Sequence, residues 1–411
     1  MKTYCKNVDI LDMDLIRCGV IKALAGKYRR DNYAAYIATF GNHTANQVKR
    51  LAKDLKYGVI TPYDFAKEFE TDVDRIAKDV RRQFLNKKLE IGEVRYEERL
   101  DKGTGKIRML GIETPAQQVI EHVTVLAMDE LWKKKFCFHQ YSSIQGKGQV
   151  RGAKTIRKWA RKGSIKYFVK CDIRKCFDNI VHKDVIKLLK RDIGKNKELI
   201  WLVSEILTRH NSPKSKPGSG LIIGSWLSSM LCNYMLSYSY RRVSELSYTR
   251  RSKRTRLVTH VLFFMDDMLL ISNNKKLLKA AVRDLSQCLC CAFSLKVKQK
   301  WHVKDFSKEP ITMMGFTIFC NGKMKIRRKN FIKVRRCYIR IANGRRSIKN
   351  CKSCSAYNGY FKNSDTQNVW LLPTQKLFIP EIQNRSSKVQ SNFEKIRRTK
   401  YAESRKLRRV S

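Results

Sequence analysis

Val261-Leu262-Phe263-Phe264-Met265-Asp266-Asp267-Met268-Leu269-Leu270-Ile271 decides how this chain is read. Two adjacent carboxylates stand between two apolar runs. Runs this short, rich in aromatic and branched residues, are buried strands, so the segment predicts a hairpin with both acids at its turn. An ordinary acidic surface turn fits poorly, because no Gly or Asn supplies the usual hairpin geometry. Desolvating two neighbouring carboxylates is costly unless cations neutralise them. The pattern therefore points to divalent metal.

Upstream, Tyr167-Phe168-Val169-Lys170-Cys171-Asp172 reads as a short buried strand ending in an acid, followed by Ile173-Arg174-Lys175-Cys176-Phe177-Asp178-Asn179-Ile180. Asp178 lies beyond the strand end and reads as a structural or capping acid. A strand-end Asp followed much later by an Asp-Asp hairpin is the layout of a polymerase palm. Over roughly residues 95–320 the chain resembles the reverse transcriptases, in particular those of bacteria and phages. The resemblance implies an α+β fold: a right-hand polymerase with fingers, a ferredoxin-like palm (antiparallel sheet plus helices) and a helical thumb. The expected domains are a basic helical extension over 1–90, fingers over 91–164, palm over 165–320, and a basic helical thumb and C-terminal tail over 321–411.

Composition agrees. The 411 residues are enough for two or three domains, and 43% are hydrophobic, so a sizeable core can form. Lys and Arg number 87 against 36 Asp and Glu, a formal charge of +51. Such self-repulsion disfavours a compact state unless a polyanion relieves it. A solubilising surface or an acidic membrane are the other readings; the spread of charge along the whole chain favours nucleic acid, bound in a strongly salt-dependent way. The start, Met1-Lys2-Thr3-Tyr4-Cys5, lacks the apolar core of a secretory signal. Leu221 to Leu236 is apolar but short for a membrane span, and it carries Ser225, Ser228, Ser229 and Asn233, so it reads as a buried helix. The 13 scattered cysteines suit a reduced cytoplasm, the expected location. Cys351 and Cys354, with Cys337 upstream, make at most half a zinc site, and zinc is not expected.

Residues 1–90 read mostly as basic helix. Phe65, Phe69, Val73, Ile76, Val80 and Phe84 form a helical apolar stripe within Asp64 to Leu89. Val94 to Leu100 and Ile107 to Leu110 flank a Gly-rich basic tip, which predicts a hairpin. One long helix is expected near Pro115 to Lys134, and mostly helix over 325–411, broken around Asn358 to Pro380.

The resemblance assigns roles residue by residue. It implies two Mg²⁺ ions, with Mn²⁺ able to replace them, ~4 Å apart. Asp172 and Asp266 are the expected direct ligands, Asp267 a supporting one and the Ile173 carbonyl a further one. Phe177 stands where an aromatic blocks a 2′-hydroxyl and so selects deoxynucleotides. The tip Lys102-Gly103-Thr104-Gly105-Lys106-Ile107-Arg108-Met109-Leu110-Gly111-Ile112 resembles a fingers motif in which Arg108 grips the triphosphate, assisted by Lys102 and Lys106. Gly220 to Ser229 resembles the nucleotide-positioning motif, here with Ile223, Gly224 and Ser228, and with Ile223 where most relatives carry Gln. Tyr141 to Gly148 resembles the motif before the first catalytic strand, but Ile144 replaces the usual Arg. In Leu295 to Lys300, a lysine is expected to protonate pyrophosphate as general acid, Lys300 first and Lys298 second. Met313-Met314-Gly315-Phe316 resembles the primer grip.

The implied partners are an RNA template (a cognate structured noncoding RNA), a DNA or RNA primer and dNTPs, with no membrane. A small accessory protein or a homo-oligomer stays open. The resemblance extends to diversity-generating retroelement, group II intron-like and antiphage-defence reverse transcriptases. The first and last roles stay open, while a homing group II intron protein is less expected because the sequence has no nuclease cysteine/histidine cluster. Other readings are template-independent or protein-primed DNA synthesis, an RNA-dependent RNA polymerase, against which Phe177 speaks, and a non-catalytic RNA-binding scaffold, against which the three retained acids speak.

Overall fold

The computed structural model describes residues 3–101, 105–342, 357 and 359–368. Its elements run in chain order. Five helices come first: α1 (Met13–Leu24), α2 (Asp31–Ala38), α3 (Ala45–Tyr57), α4 (Pro62–Glu68) and α5 (Glu70–Leu85). Then come β1 (Arg95–Asp101), β2 (Lys106–Ile112), α6 (Pro115–Ala127), α7 (Asp129–Lys135), α8 (Gln149–Arg161), β3 (Tyr167–Asp172) and α9 (Cys176–Asn179). Next are α10 (His182–Ile193), α11 (Lys197–Thr208), α12 (Trp226–Glu245), β4 (Ser247–Arg250), β5 (Lys253–Arg256), β6 (His260–Phe264) and β7 (Asp267–Ser272). The last are α13 (Lys275–Phe293), β8 (Lys304–Asp305), β9 (Ile311–Met313), β10 (Phe316–Ile318), β11 (Met324–Ile326) and α14 (Arg328–Ala342). The fold is α+β, as expected.

Contacts divide the described residues into two compact units. One contains residues up to Gln145, Val169–Leu270 and Lys275–His302; the other contains Gly146–Phe168, Ile271–Asn274 and residues from Val303 on.

In the first unit, helix starts arise from local chemistry. Thr44 and Gln47 form a capping box on α3, and Thr61 and Asp64 form another on α4, which has Pro62 in its first turn. The stripe Phe65, Phe69, Val73, Ile76, Val80 and Phe84 is buried, as its spacing requires. It belongs to two helices rather than one: Phe69 (φ −94°, ψ 5°) closes α4 and opens α5, and α5 stops at Leu85. The expected helix over 115–134 is likewise broken, at Met128 (φ −97°, ψ 16°). There the Trp132 indole donates to the Val125 carbonyl at 2.9 Å, taking up an acceptor at the end of α6. Helix α1 lies close against α6: a Cβ on Gly19 would fall 2.3 Å from Val123 Cγ2.

The apolar stretch from Leu221 resolves into a turn and then α12. Ser228, Asn233, Ser237 and Ser239 are buried within that helix. Their polarity is absorbed internally; Asn233 Nδ2, for example, donates to the Ser142 carbonyl at 2.8 Å. Among the described residues no helix is long and apolar enough to cross a membrane.

In the second unit, β8 pairs antiparallel with the first residues of β3, Tyr167 opposite Asp305 and Phe168 opposite Lys304. A three-stranded sheet in the order β11-β10-β9 is pinned by Asp365, which accepts two 2.7 Å bonds from Arg157 Nη2 and one of 2.9 Å from the Met324 amide. Ile326, Val334 and Phe361 form its core. Helix α14 lies in the expected thumb. Cys351, Cys354 and most of the expected thumb and tail lie outside the described residues.

Candidate active site

Strands β6 and β7 are joined by Met265 and Asp266 alone, and Asp267 is the first residue of β7. Met265 takes a left-handed φ of 54°, supplying the geometry that Asn or Gly usually gives a two-residue turn. The Ile173 amide donates to the Asp266 carbonyl at 3.4 Å, and Lys170 Nζ stands 3.2 Å from Asp267 Oδ1. The end of β3 and the start of β7 therefore lie together. Beyond β3, the chain is extended by a second pairing: the Arg174 amide donates to Lys296 O and the Lys298 amide to Asp172 O, each at 2.8 Å, around a bridge between Ile173 and Val297. That register carries the Lys298 ammonium onto the Asp172 carboxylate, with which it forms an ion pair.

The three acids thus have different surroundings. Asp172 and Asp267 are only partly buried and each has a lysine partner. For Asp266, burial first and the Asp267 charge second push the carboxyl above the ordinary aspartate range; a backbone hydrogen bond and the charges of Arg108 and Lys170 pull it back. Among the described residues no three His, Cys, Asp or Glu side chains are already gathered into a metal-holding group.

Phe177 lies in α9 and is partly exposed. Its carbonyl accepts from the Leu221 amide at 2.8 Å, and Ile180 O accepts from the Gly220 amide at the same distance. The Phe177 ring is not needed for this pairing; the backbone alone ties α9 to the segment leading into Gly224. Gly224 has φ 116°, and a Cβ there would stand 3.7 Å from Gly111 O. A Cβ on Gly111 would come within 2.5 Å of Ile222 Cγ2. Gly111 thus leaves room for the Ile222 side chain, while Gly224 holds a left-handed backbone in ordinary contact with the Gly111 carbonyl. Ile223 is partly exposed beside Gly224.

Ser228 is placed differently from a nucleotide contact. It is fully buried, and its hydroxyl accepts from the Ile222 amide at 3.1 Å, so it shapes the turn from behind. Asp178 is no cap: the position before α9 is Lys175, at φ 47°, while Asp178 sits half-buried with its carboxyl raised by burial. Arg108 stands on β2 opposite Arg99, and Lys106 opens β2 opposite Asp101. Lys102 lies outside the described residues. Lys300 is exposed, two residues past the lysine that meets Asp172. Met313 to Phe316 forms the tight turn between β9 and β10.

Residues 100–318 match the model of the family described as reverse transcriptase (RNA-dependent DNA polymerase). The chain belongs to that family. A curated relative is a putative COX1/OXI3 intron 1 protein of Saccharomyces cerevisiae, 29% identical over 142 residues; the match spans 34% of this reverse transcriptase-family chain and 17% of the yeast protein. Among solved structures, apo telomerase from Candida tropicalis is 11% identical, with a TM-score of 0.39 over 74% of this chain and 67% of that one. Telomerase from Candida albicans, solved with a TWJ fragment of telomeric RNA, is 12% identical, with a TM-score of 0.41 over 65% and 50%.

Sequence reasoning missed two features of this family member's site. Lys170 has a local signal, because a residue two before Asp172 in a strand shares its face. The buried polar groups behind the Gly224 turn (Glu113, Glu121 and His210) come from three separate segments, and no local pattern unites them.

Proposed function

We propose that the chain performs RNA-templated DNA synthesis, transferring nucleotides from dNTPs to a 3′-hydroxyl with two divalent metal ions, on a dedicated structured RNA. One observation carries this reading: the end of β3, which bears Asp172, lies beside the turn and first residue of β7, which bear Asp266 and Asp267, in a chain of the reverse transcriptase family. In this reading residues 1–90 are a basic extension, 91–164 fingers, 165–320 palm and 321–411 thumb and tail.

The residues fit a hard cation. Mg²⁺ takes one or two protein carboxylates and fills its remaining positions with substrate oxygens and water. Asp266 is held above its ordinary range by burial and by Asp267, so an added cation relieves the energetic cost it bears. Asp172 and Asp266 would hold the ions, with Asp267 and the Ile173 carbonyl in support. When bound, the ions supply a more acidic attacking hydroxyl and neutralise charge on the leaving pyrophosphate.

The chain's own groups do the rest. Lys170 and Lys298 balance Asp267 and Asp172, and Lys298 is better placed than Lys300 as the proton donor. Arg108, a fixed planar cation near Asp266, orients the triphosphate with Lys102 and Lys106. Phe177 excludes a 2′-hydroxyl, and the Ile223-Gly224 turn receives the nucleotide.

The test is to purify the protein with its bound nucleic acid, sequence that RNA, and supply Mg²⁺ with labelled dNTPs or rNTPs beside an Asp266→Ala/Asp267→Ala control. DNA labelling by the wild type alone is the expected result, and the bound RNA identifies the template. Equal labelling in the control, or a product made from rNTPs, would overturn the proposal.

A further inference from the structure

Behind the turn that presents Gly224 lies a buried cluster that the proposed reaction does not use. Glu113 directly follows β2, Gln117 and Glu121 lie on α6, and His210 follows α11. Glu121 and His210 are each 1% exposed and Glu113 is 6% exposed. Gln117 Nε2 donates to Glu121 Oε1 at 3.0 Å, and His210 Nε2 stands 3.6 Å from the same oxygen. The Ser225 hydroxyl donates to Glu121 Oε2 at 2.5 Å. Ser225 Oγ in turn accepts from the Ser228 amide at 3.0 Å, and Ser228 Oγ accepts from the Ile222 amide at 3.1 Å. Both ends of the turn, Ile222 and Ser225, therefore hang on one buried carboxylate.

Stability does not explain such a cluster. Glu113 Oε1 and Gln117 Oε1 have no hydrogen-bond partner, and buried polar groups of this kind can often be replaced by apolar side chains with no loss of stability. The cluster instead provides geometry: a fixed path from α6 to the turn. We propose that the buried Glu113–Glu121 pair is a positioning element of the nucleotide turn, holding Leu221–Ser225 through Ser225 so that Gly224 stays against Gly111. This inference rests on reading that turn as the one that receives the nucleotide.

The pair also makes the device pH-sensitive. Two carboxyls in buried contact do not both ionise readily. The proton resides on Glu113, whose pKa burial first and Glu121 second push up to about 10. Burial would raise Glu121 as well, but His210, Ser225 and Gln117 outweigh it and hold this carboxyl below the ordinary glutamate range. The other charged or titratable groups facing the pair are Lys27, Tyr33 and Tyr96 beside Glu113 and His122 beside Glu121. Since the folded state holds the Glu113 proton more tightly than the unfolded chain does, the stability this proton provides is complete below about pH 4.5 and is lost as the pH rises to about 10.

Hydrogen exchange on the full chain, paired with steady-state dNTP incorporation, tests the proposal. Ser225→Ala should expose the Ile222 and Ser228 amides to faster exchange while the later turns of α12 keep their protection. Its KM for dNTP should rise about tenfold, the equivalent of one hydrogen bond, with a smaller change in kcat. In the wild type KM should climb toward pH 10; in Glu113→Gln, an isosteric variant that stays neutral, that climb should vanish. Unchanged exchange at Ile222 and Ser228, or faster exchange with an unaltered KM, would overturn the inference. A wild-type chain that makes no DNA would defeat the proposed polymerase function instead, and the exchange data would still decide whether the turn hangs on Glu121.

Discussion

Hairpins β6–β7 and β9–β10 both turn on a methionine and differ in the residue after it. Met265 and Met314 have left-handed φ values of 54° and 53°. After Met314 comes Gly315, at φ 82°, where a Cβ would fall 2.5 Å from the Tyr360 ring. After Met265 comes Asp266, which has no positive φ and is therefore under no demand for glycine. One turn uses its second position for packing and the other uses it for a carboxylate whose surroundings disfavour its charge. The first optimises the fold; the second accepts a local cost, which a bound cation would relieve under the proposed function.

Exchanging the two residues' roles should separate these functions. Asp266→Gly should lower DNA synthesis by about 10³-fold or more, because charge stabilisation at the reacting phosphate is lost. Its melting temperature should hold or rise, most clearly at neutral and alkaline pH. The sign comes from the raised Asp266 pKa: the wild-type carboxyl gives stability below its unfolded value of 3.8, which is lost as the pH rises through the higher folded value. Gly315→Ala should do the reverse, costing about 2–4 kcal/mol of stability through the left-handed backbone and the Tyr360 clash. Single-turnover primer extension and thermal melting on both variants provide the comparison; a stable, active Asp266→Gly would end it.

A smaller effect distinguishes two lysines that the sequence could not. Lys298→Ala should slow incorporation by about 10²-fold, the scale of general acid catalysis. Lys300→Ala should stay within about threefold of wild type, since two residues further on the side chain is exposed and its effect is that of a surface charge. Equal losses in both would remove Lys298 from its assigned role.

These lysines also mark where the sequence stopped being informative. The hairpins were legible because strand burial and turn spacing are local. The acids were legible because charge between apolar runs is rare. Lys296, Lys298 and Lys300 alternate identically in the sequence, and only the pairing of Val297 with Ile173 decides which reaches Asp172. Ser228 looked like a nucleotide contact because its motif position suggested one; its burial depends on α12 and the turn closing over it. The breaks at Phe69 and Met128 were hidden because apolar periodicity continues through them, while the Trp132 indole that accommodates the second acts from the next helix.

Phe177→Val should raise ribonucleotide use relative to deoxynucleotide use by about tenfold, the range available when a pocket gains a few carbons of space. The ratio of kcat/KM for matched dNTP and rNTP measures it. An unchanged ratio would make Phe177 a packing residue of α9, leaving its backbone bond to Leu221 as its whole contribution to the site.

The smallest expected change returns to the methionine. A left-handed non-glycine residue costs about 1 kcal/mol, so Met265→Gly removes strain from the β6–β7 turn. The same substitution loosens the unfolded chain by about 0.4–1 kcal/mol. The two effects oppose each other, and denaturant unfolding should find the variant within about 1 kcal/mol of wild type. Activity need not track stability. Met265 fixes the direction in which the chain enters Asp266, and glycine permits others, so incorporation should slow even where the fold is unharmed. If Met265→Gly were both as stable and as fast as wild type, the turn would depend on its flanking strands alone, and the likeness between the two hairpins would be one of shape without consequence for the chemistry.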